Sequence, residues 1–458
     1  MNKAYTSYVP INQKWAKQIP SHWDARRMKA VFAMRKERNN PIVTENILSL
    51  TAKQGVVPYA EKEGTGGNKP KSDLTQYNVC HENDLLVNCM NVVSGAAGVS
   101  RYYGAISPVY YAFYPHKDEN IWYYHYIFRL LPFQRSLVGL GKGILMHESE
   151  DGTLTSVRMR ISMDYLGNVL LPVPPREEQD QIVQFLDWKV SGINKLIAVK
   201  QKQIATIKEF MQAEIEEQLY AYPVVSVVRL KQLGTFFKGG GFSRDNLVED
   251  EDYPAILYGD IYTQYEYKTS IITHHIDGNA YSTSRKISKG DIVMAGTGET
   301  KDEIGKSILY MGEQIVAVGG DVIVFHPNEG TNVEYLLYQL YSQASLKHRY
   351  INGKGDIIVH IYPTALGNTI ITLPGEAEQN KAVARINKII DQVNKAITVL
   401  TDEISVLREY RVRLVADTVT GKIDVRGIEI PEYEFVDEDN DNVDENLEQG
   451  ADEPPEEE

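Results

Sequence analysis

Two stretches of the chain place apolar side chains at alternating spacings of three and four residues. The first stretch runs from position 183 to 207 and the second from 383 to 407, with Val, Ile or Leu at all but one of the seam positions. A narrow apolar seam of this kind is typical of a coiled-coil helix. Pro223 closes the first stretch, and the second is predicted to end at Thr420–Gly421, because Gly is common just past the end of a helix.

The two helices belong to a longer internal repeat. Residues 161–214 share 14 identities in 54 positions with the residues 200 places further on, where unrelated chains would share about three or four. The match is clearest between "LGNVLLPVPPREEQ" at 166–179 and "LGNTIITLPGEAEQ" at 366–379. A period near 200 is far too long for a solenoid, so it indicates two copies of a domain-sized unit.

The segments before each helix contain short apolar runs that are typical of strands. Residues 83–100 parallel 290–307, and residues 110–130 parallel 322–342, the last of which turns amphipathic and helical. Each long helix has about 40 residues, hence a length of about 60 Å, and cannot bury its seam alone. We therefore expect the helices to pack on each other, antiparallel because a whole domain separates them; the alternative is that each lies on its own globular unit.

The predicted fold class is accordingly α/β (mixed α+β), with two globular domains separated by a pair of long antiparallel coiled-coil helices. The predicted boundaries are given by number: a first domain at 1–171, a helical spacer at 172–222, a second domain at 223–374, a second helical spacer at 375–426 and an acidic tail at 427–458.

Charge is distributed unevenly along the 458 residues. The net charge is −14, but 15 Asp or Glu and no Lys or Arg follow Arg426, and the rest of the chain has a net charge of +1. Residues 1–171 carry +6 and residues 223–374 carry −4, so the first domain is the better candidate for binding a polyanion. The tail is predicted to be disordered; it is either a solvated tail or a DNA-mimicking or autoinhibitory segment.

The sequence offers no catalytic constellation. No apolar run is long enough to span a membrane, the N-terminus has no signal-peptide core, and Cys80 and Cys89 are interpreted as reduced thiols in a cytoplasmic protein. The run "GTGETKDEIGKS" at 296–307 lacks the glycine spacing of a phosphate-binding loop. No methyltransferase, hydrolase or metal motif is found, which favours a recognition or scaffold protein.

The order of these features resembles a known family. A variable α/β unit, a Pro-rich segment with "EEQ" and a long heptad helix are followed by a second copy, which closes with "LVADTVTGKIDVR" at 414–426. This arrangement resembles the specificity subunit of type I restriction–modification enzymes. "IPSHWDARRMKAVF" at 19–32 and "VVRLKQLGTFFKGGG" at 227–241 resemble the starts of the two target-recognition domains of that family.

The resemblance implies that each globular domain reads one half of a bipartite, asymmetric DNA site in a system of DNA methylation and host defence. It implies that the helices set the unread spacer and dock two methyltransferase subunits, with restriction subunits as further partners. S-adenosylmethionine, ATP and Mg²⁺ would bind to those partner chains and not to this one. The open alternatives are a DNA-binding methyltransferase with unrecognised motifs and a coiled-coil adaptor that binds only protein.

Candidate contact residues follow from the glycine-rich loops and the helices. The predicted DNA-binding residues are Asn88, Asn91, Ser94, Arg101, Lys142, Thr297, Thr300, Lys301, Lys306 and Lys354. The predicted partner-docking helices are marked by the seam residues Ile193, Ile197, Ile204, Val393, Ile397 and Ile404.

Overall fold

The structure, a computed structural model, describes residues 4–52, 54–62, 70–141, 146–148, 154–156, 160–248, 253–355 and 358–436, with the backbone alone at 146–148 and 154–156. The chain folds into two compact units. Unit 1 comprises Met1–Lys202 and Thr401–Glu458, and unit 2 comprises Gln203–Leu400. The predicted disorder of the tail beyond residue 436 and the candidate Lys142 lie outside the described residues.

Unit 1 is built from short strands, short helices and parts of two long helices. Its strands are β1 (Tyr8–Pro10), β2 (Gln18–Pro20), β3 (Asp24–Arg27), β4 (Phe32–Met34), β5 (Leu48–Thr51), β6 (Gly55–Pro58), β7 (Asn78–Cys80), β8 (Leu85–Asn88), β9 (Ala97–Val99), β10 (Gly104–Ile106), β11 (Tyr110–Pro115), β12 (Met146–Glu148), β13 (Leu154–Ser156) and β14 (Leu170–Val173). Its short helices are α1 (Met28–Val31), α2 (Ile121–Phe128), α3 (Leu131–Leu137) and α4 (Met163–Leu166). The long helix α5 (Arg176–Tyr220) begins in this unit.

Unit 2 follows the same plan. Its strands are β15 (Ser226–Arg229), β16 (Gly234–Lys238), β17 (Leu247–Val248), β18 (Pro254–Ile256), β19 (Lys268–Thr269), β20 (His274–Ile276), β21 (Arg285–Ile287), β22 (Ile292–Ala295), β23 (Thr297–Gly298), β24 (Ser307–Tyr310), β25 (Val316–Val318), β26 (Val322–Pro327), β27 (Val359–His360) and β28 (Ile370–Leu373). Its short helices are α6 (Tyr258–Thr263), α7 (Gly278–Thr283), α8 (Val333–Leu340), α9 (Gln343–Asn352) and α10 (Pro363–Leu366). The long helix α11 (Glu376–Val419) begins in this unit.

The central sheets of the two units have the same strand order. Unit 1 has β4-β11-β8-β9, and unit 2 has β16-β26-β22-β24 with β19 added at the edge. In both, the strand that crosses the middle leads into a helix of eight residues, from β11 into α2 and from β26 into α8. The weak sequence parallels therefore mark equivalent elements. The remaining strands differ, since unit 2 has a second five-stranded sheet, β17-β20-β18-β25-β21.

A two-stranded ribbon leads into each long helix, β14 with β3 in unit 1 and β28 with β15 in unit 2. The repeated "EQ" motif has a structural role just after each ribbon. The side-chain amide of Gln179 donates to the carbonyl of Pro174 at 2.9 Å, and that of Gln379 donates to Pro374 at the same distance. Each glutamine thus fixes the turn from strand to helix, which explains why the motif recurs at the same place in both copies of the repeat.

The two long helices run antiparallel within unit 1. Asn194 of α5 accepts a hydrogen bond from Arg411 of α11 at 2.7 Å, and Lys200 pairs with Glu403 at 2.6 Å, so rising numbers on one helix meet falling numbers on the other. The seam residues Ile193, Ile197 and Ile404 are buried. The helix end is also held, because the Tyr123 hydroxyl donates to the carbonyl of Val419 at 2.9 Å.

The seam continues within unit 2 and joins the core of that unit. Met211, Ile215 and Leu219 of α5 belong to one apolar cluster with Ile386, Ile390 and Val393 of α11. That cluster also contains β22, β26 and α8 side chains, so the helices are anchored on the sheet as well as on each other. The predicted fold class, two α/β units with a pair of long antiparallel helices, is confirmed, and both helices contribute to both units.

Residues 427–436, which composition assigned to the acidic tail, have defined contacts in unit 1. The amide of Gln181 donates to the carbonyl of Ile428 at 2.8 Å, and the amide of Asn194 donates to the carbonyl of Val436 at 3.1 Å. The average composition of 427–458 is acidic, but this stretch, "GIEIPEYEFV", is half apolar or aromatic and carries only three of the 15 acidic residues. Within the described residues, no helix is both long and apolar enough to cross a membrane.

Candidate nucleic-acid interface

The glycine-rich loop of unit 2 extends from the end of β22 to the start of β24. Its first residue after Gly296, Thr297, is buried and pairs with His360 through the short ribbon of β23 and β27. The Thr297 hydroxyl also lies 3.0 Å from Nδ1 of His360. Thr300 is exposed at the turn that follows. The structure therefore assigns Thr297 to the base of the loop and Thr300 to its tip.

Tyr262 of α6 holds both ends of this loop. Its hydroxyl lies 3.2 Å from the carbonyl oxygen of Thr297 and 3.4 Å from that of Glu303. The ammonium of Lys306 donates to the Tyr262 backbone carbonyl at 3.1 Å, and burial lowers the pKa of Lys306. Lys306 is thus drawn into the protein by a backbone acceptor, so its side chain is committed to shaping the loop.

A second loop of unit 2 lies beside the first. The backbone of Lys354 pairs with His360 in both directions, with N–H to carbonyl distances of 2.9 and 2.8 Å. His360 therefore has Thr297 on one side and Lys354 on the other, and it joins the two predicted loops. Lys354 is exposed. The half-buried Lys301 lies in the turn of the first loop, so the two loops bring Thr300, Lys301 and Lys354 to one region.

The equivalent loop of unit 1 joins β8 to β9. Asn88 is buried, and its side-chain oxygen accepts from the backbone N–H of Met90 at 3.0 Å. Asn91 is exposed and precedes a 3-10 turn that contains Ser94. Gly95 ends the turn with φ of +84°, a conformation that favours glycine. Asn88 supports the loop from inside, whereas Asn91 is accessible at its surface.

Arg101 is separated from the other candidates of unit 1. The strand pairing places Val99 opposite Leu85 and Ala97 opposite Val87, so Arg101 follows the end of the hairpin that is remote from Asn88. Its guanidinium lies 5.4 Å from the ring centre of Trp122 and 5.9 Å from that of Phe435. Arg101 therefore lies away from the loop residues to which it is close in sequence, and its contact with DNA stays a prediction.

The predicted partner-docking positions lie at different depths. Ile193, Ile197, Val393 and Ile404 are buried, and Ile204 and Ile397 are half-buried. These side chains form the seam between the helices, so a partner that docks on the helices would touch other side chains. Partner docking itself stays a prediction.

Two polar residues flank the loops at repeat-equivalent positions and were missed from the sequence. The backbone N–H of Ile361 donates to Gly296 and that of Ile161 donates to Cys89, both at 2.9 Å, which places the preceding residue beside the loop in each unit. That residue is His360 in unit 2 and Arg160 in unit 1. Arg160 is exposed and in hydrogen-bonding contact with Tyr111. Each stands one place before the matching Ile, just outside the window in which the repeat is visible.

Among the described residues, no group of three or more His, Cys, Asp or Glu side chains is arranged so that it could hold a metal ion. Burial raises the pKa of Cys80 to about 12 and also raises that of Cys89. Neither thiol therefore has the character of a nucleophile or a metal ligand at neutral pH.

Comparisons with known proteins relate this geometry to a family. Residues 224–405 match the family model of the Type I restriction modification DNA specificity domain. Comparison with curated protein sequences finds no relative. Among solved structures, one similar chain comes from a study of complex assembly and conformational transition of the type I R-M system. The two chains are 13% identical and superpose with a TM-score of 0.62, and the aligned region spans 88% of this chain and 99% of the other.

Two further structures match over most of the chain, but with TM-scores below 0.5. The HsdS subunit from Thermoanaerobacter tengcongensis is 14% identical, covers 88% of this chain and 98% of its own, and has a TM-score of 0.43. The type I restriction–modification S subunit from M. genitalium is 14% identical, with a TM-score of 0.35. Its match spans 91% of this chain and 99% of the M. genitalium chain.

The matched residues include the whole loop system of unit 2 and the first part of α11, so it is this region that is similar to a DNA specificity domain. Unit 1 repeats its central sheet, and the likeness at a TM-score of 0.62 shows the fold over most of the chain. The match to a type I restriction modification DNA specificity domain thus covers 182 of the 458 residues, and over most of the chain the fold is similar to that of a chain from a type I R-M system.

Proposed function

We propose that each unit reads one half of a bipartite, asymmetric DNA sequence. The observation that carries the proposal is the pair of equivalent loops, one at the end of β8 and one at the end of β22, on sheets of identical strand order. The loops and the residues beside them differ in what they expose, Asn91 and Arg160 in unit 1 against Thr300 and Lys354 in unit 2. Equivalent frames with different exposed side chains suit two related recognition tasks on different base sequences.

The accessible side chains have the chemistry that DNA recognition requires. Asn and Arg can each form bidentate contacts with base edges in the major groove, whereas Lys on a phosphate sets register without reading sequence. Asn91 and Arg160 are therefore the candidates for base contacts in unit 1, with His360 and Thr300 in unit 2. Lys354 is the candidate for a phosphate contact.

The two long helices are proposed to set the unread spacer and to dock two methyltransferase subunits, with restriction subunits as further partners. Helices of 45 and 44 residues have a length of about 66 Å at 1.5 Å per residue, while half-sites one duplex turn apart are separated by about 34 Å. Adenine methylation and ATP-dependent cleavage would belong to the partner chains, which would bind S-adenosylmethionine, ATP and Mg²⁺. The complex would act in the cytoplasm on chromosomal DNA.

A domain exchange tests half-site recognition. Residues 1–171 are replaced by the equivalent segment of a relative, the hybrid is expressed with its methyltransferase partner, and methylated adenines are sequenced genome-wide. We expect one half of the methylated sequence to change and the other to stay the same, with the reciprocal result for an exchange of 223–374. A change in both halves from a single exchange would refute the proposal.

Point variants test the loop of unit 2. Lys354→Ala should weaken DNA binding for all sequences and reduce the salt dependence by about one counterion. Lys289→Ala is the matched control, because Lys289 pairs with Glu313 at the other end of β22. If both substitutions weakened DNA binding equally, the loop that contains Lys354 would not be part of the DNA interface.

A longer pair of helices tests the spacer. Insertion of one heptad after Ala205 and one before Thr398 keeps the seam in register and adds about 10 Å of helix. We expect unchanged half-sites and a gap longer by about three base pairs of 3.4 Å rise. An unchanged gap in an active complex would show that the helices do not measure the spacer.

A further inference from the structure

The last described residues form an extended segment that is bound to α5 by specific contacts. We call residues 428–436 the C-terminal strap. Its first residue, Ile428, is held through its carbonyl by Gln181, and near its end Glu434 pairs with Lys195 at 3.3 Å. The strap therefore follows the helix from Gln181 to Lys195 within unit 1.

The end of the strap is bound to α5 through the backbone of a single residue, Val436. The hydroxyl of Ser191 accepts from the backbone N–H of Val436 at 3.2 Å, and the amide of Asn194 donates to its carbonyl at 3.1 Å. Ser191 and Asn194 are both only 2% exposed. Two nearly buried polar side chains thus satisfy both backbone groups of one residue, which fixes the point from which the remaining chain departs.

That point lies at the end of the β8–β9 hairpin of unit 1 that is remote from the candidate DNA-binding loop. Phe435 is next to Val436, and its ring lies 5.9 Å from the guanidinium of Arg101, which also contacts Trp122. Arg101 directly follows the β8–β9 hairpin whose other end carries the DNA-reading loop. The strap accordingly brings the chain from the end of α11 to the frame of the first recognition domain.

The part of the chain that follows Val436 is strongly anionic. Residues 437–458 contain 12 Asp or Glu and no Lys or Arg, while residues 1–171 have a net charge of +6. A segment of about 22 residues can reach at most about 75 Å from its anchor, at 3.3–3.6 Å per residue. The dimensions of a domain of about 170 residues lie within that reach, since its radius of gyration is about 15 Å.

We propose that the strap presents residues 437–458 to the DNA-binding surface of unit 1, where this acidic segment competes with DNA. The inference rests on the proposed function of unit 1. A tethered segment has an effective concentration of about 1 mM. With an intrinsic dissociation constant of about 0.1–1 mM, at or just beyond the weak end of non-specific polyanion binding, it lowers the affinity of unit 1 for DNA about two- to tenfold. The same factor applies to specific and non-specific DNA, because the segment competes for the surface that both occupy.

The test compares the full chain with two tail variants. One ends after Val436, and the other keeps its length but has all 12 acidic residues of 437–458 changed to the corresponding amides. Binding to a fluorescent duplex of random sequence is measured by anisotropy from about 50 to 300 mM salt, the range over which phosphate contacts lose most of their affinity. Both variants should bind two- to tenfold tighter than the full chain at the low end, and the difference should shrink at the high end.

The strap is tested separately. Phe435→Ala combined with Asn194→Ala should move the dissociation constant towards that of the truncated chain. Asn394→Ala is the matched control, because Asn394 is the repeat equivalent of Asn194 on α11 and is exposed; this variant should bind as the full chain does.

The outcomes separate the inference from the function on which it rests. Equal, measurable DNA binding by the full chain and both tail variants would overturn the competition and leave DNA recognition intact. Tighter binding by the tail variants with no effect of the strap substitutions would overturn the role of the strap. Failure of every variant to bind DNA, alone and with the methyltransferase partner, would overturn the proposed function as well.

Discussion

Glu178 and its repeat equivalent Glu378 test whether tertiary contacts determine how much a repeated residue contributes to the free energy of unfolding. Glu178 is 5% exposed, accepts from the Tyr5 hydroxyl and lies 2.9 Å from Nε2 of His22. Glu378 has a side chain that is 35% exposed, and its ion pair is to Lys381 at 3.7 Å. The same residue in the same motif is therefore central to a buried network in unit 1 and peripheral in unit 2.

We expect Glu178→Ala to lower the free energy of unfolding of unit 1 by about 2–3 kcal/mol. A hydrogen bond to a charged group contributes about 1.5–3 kcal/mol, and loss of the carboxylate leaves the buried Tyr5 hydroxyl without its acceptor. The His22 contact adds little, because that side chain is 38% exposed and water screens it. Thermal unfolding of a unit of this size should shift down by about 5–10 °C.

The assay follows from the distribution of tryptophan. All four Trp residues, at 15, 23, 122 and 188, belong to unit 1, and Trp23 lies 5.8 Å from the ring of Tyr5. Urea unfolding followed by tryptophan fluorescence therefore reports on unit 1 alone. Glu177→Ala is the control within this unit, since Glu177 is exposed in the same first turn. Glu378→Ala is followed by far-ultraviolet circular dichroism.

Both controls should change stability by less than about 0.5 kcal/mol, as surface substitutions usually do. A Glu177→Ala variant that destabilises unit 1 as much as Glu178→Ala does would contradict the role of the buried network. A Glu178→Ala variant that stays within about 0.5 kcal/mol of the parent chain would contradict it too, because that is the size of an ordinary surface effect.

Four further outcomes are expected. Iodoacetamide at pH 8 should label Cys80 and Cys89 only after unfolding, as mass spectrometry would show, because burial raises the pKa of both thiols, that of Cys80 to about 12. Burial lowers the pKa of His125 to about 3, so between about pH 6.5 and 3 the unfolded chain binds a proton that the folded chain does not. The free energy of unfolding should therefore decrease as the pH is lowered through that range, and it should decrease less in His125→Gln. Ile215→Ala, at a fully buried seam position, should cost about 2–5 kcal/mol in circular-dichroism melts of unit 2. Calorimetry should show no saturable binding of S-adenosylmethionine to the purified chain, and a stoichiometric signal would favour the methyltransferase alternative.

The sequence by itself determined the features that repeat with a short period or at a constant offset. The seam from 183 to 207 is a local pattern that only a helix can use, and the structure has α5 from Arg176 to Tyr220. The constant offset between the two copies of the repeat identified two related units, and the parallels at 83–100 and 290–307 mark hairpins of the same sheet order. These features are visible because neighbouring residues carry them.

Only the tertiary structure decided which candidate side chains are accessible. Thr297 and Lys306 appeared equivalent to Thr300 in a glycine-rich loop, but Tyr262, which belongs to a helix well before the loop in the chain, holds the loop ends. Arg101 was grouped with Asn91 on closeness in sequence, although a hairpin carries them to opposite ends of a strand pair. Contacts of this kind join residues remote in sequence, so they leave no periodic trace in the chain.

The strap shows the same limit of sequence reasoning. The acidic composition of residues 427–458 taken together predicts disorder, although residues 428–436 include Ile428, Ile430, Tyr433, Phe435 and Val436. Residues 428–436 dock through backbone groups, and the partners that receive them, Ser191 and Asn194, lie in the first half of the chain on α5. An average over the whole tail hides the difference between its two parts, and whether the first part docks depends on where the fold brings the receiving surface of α5.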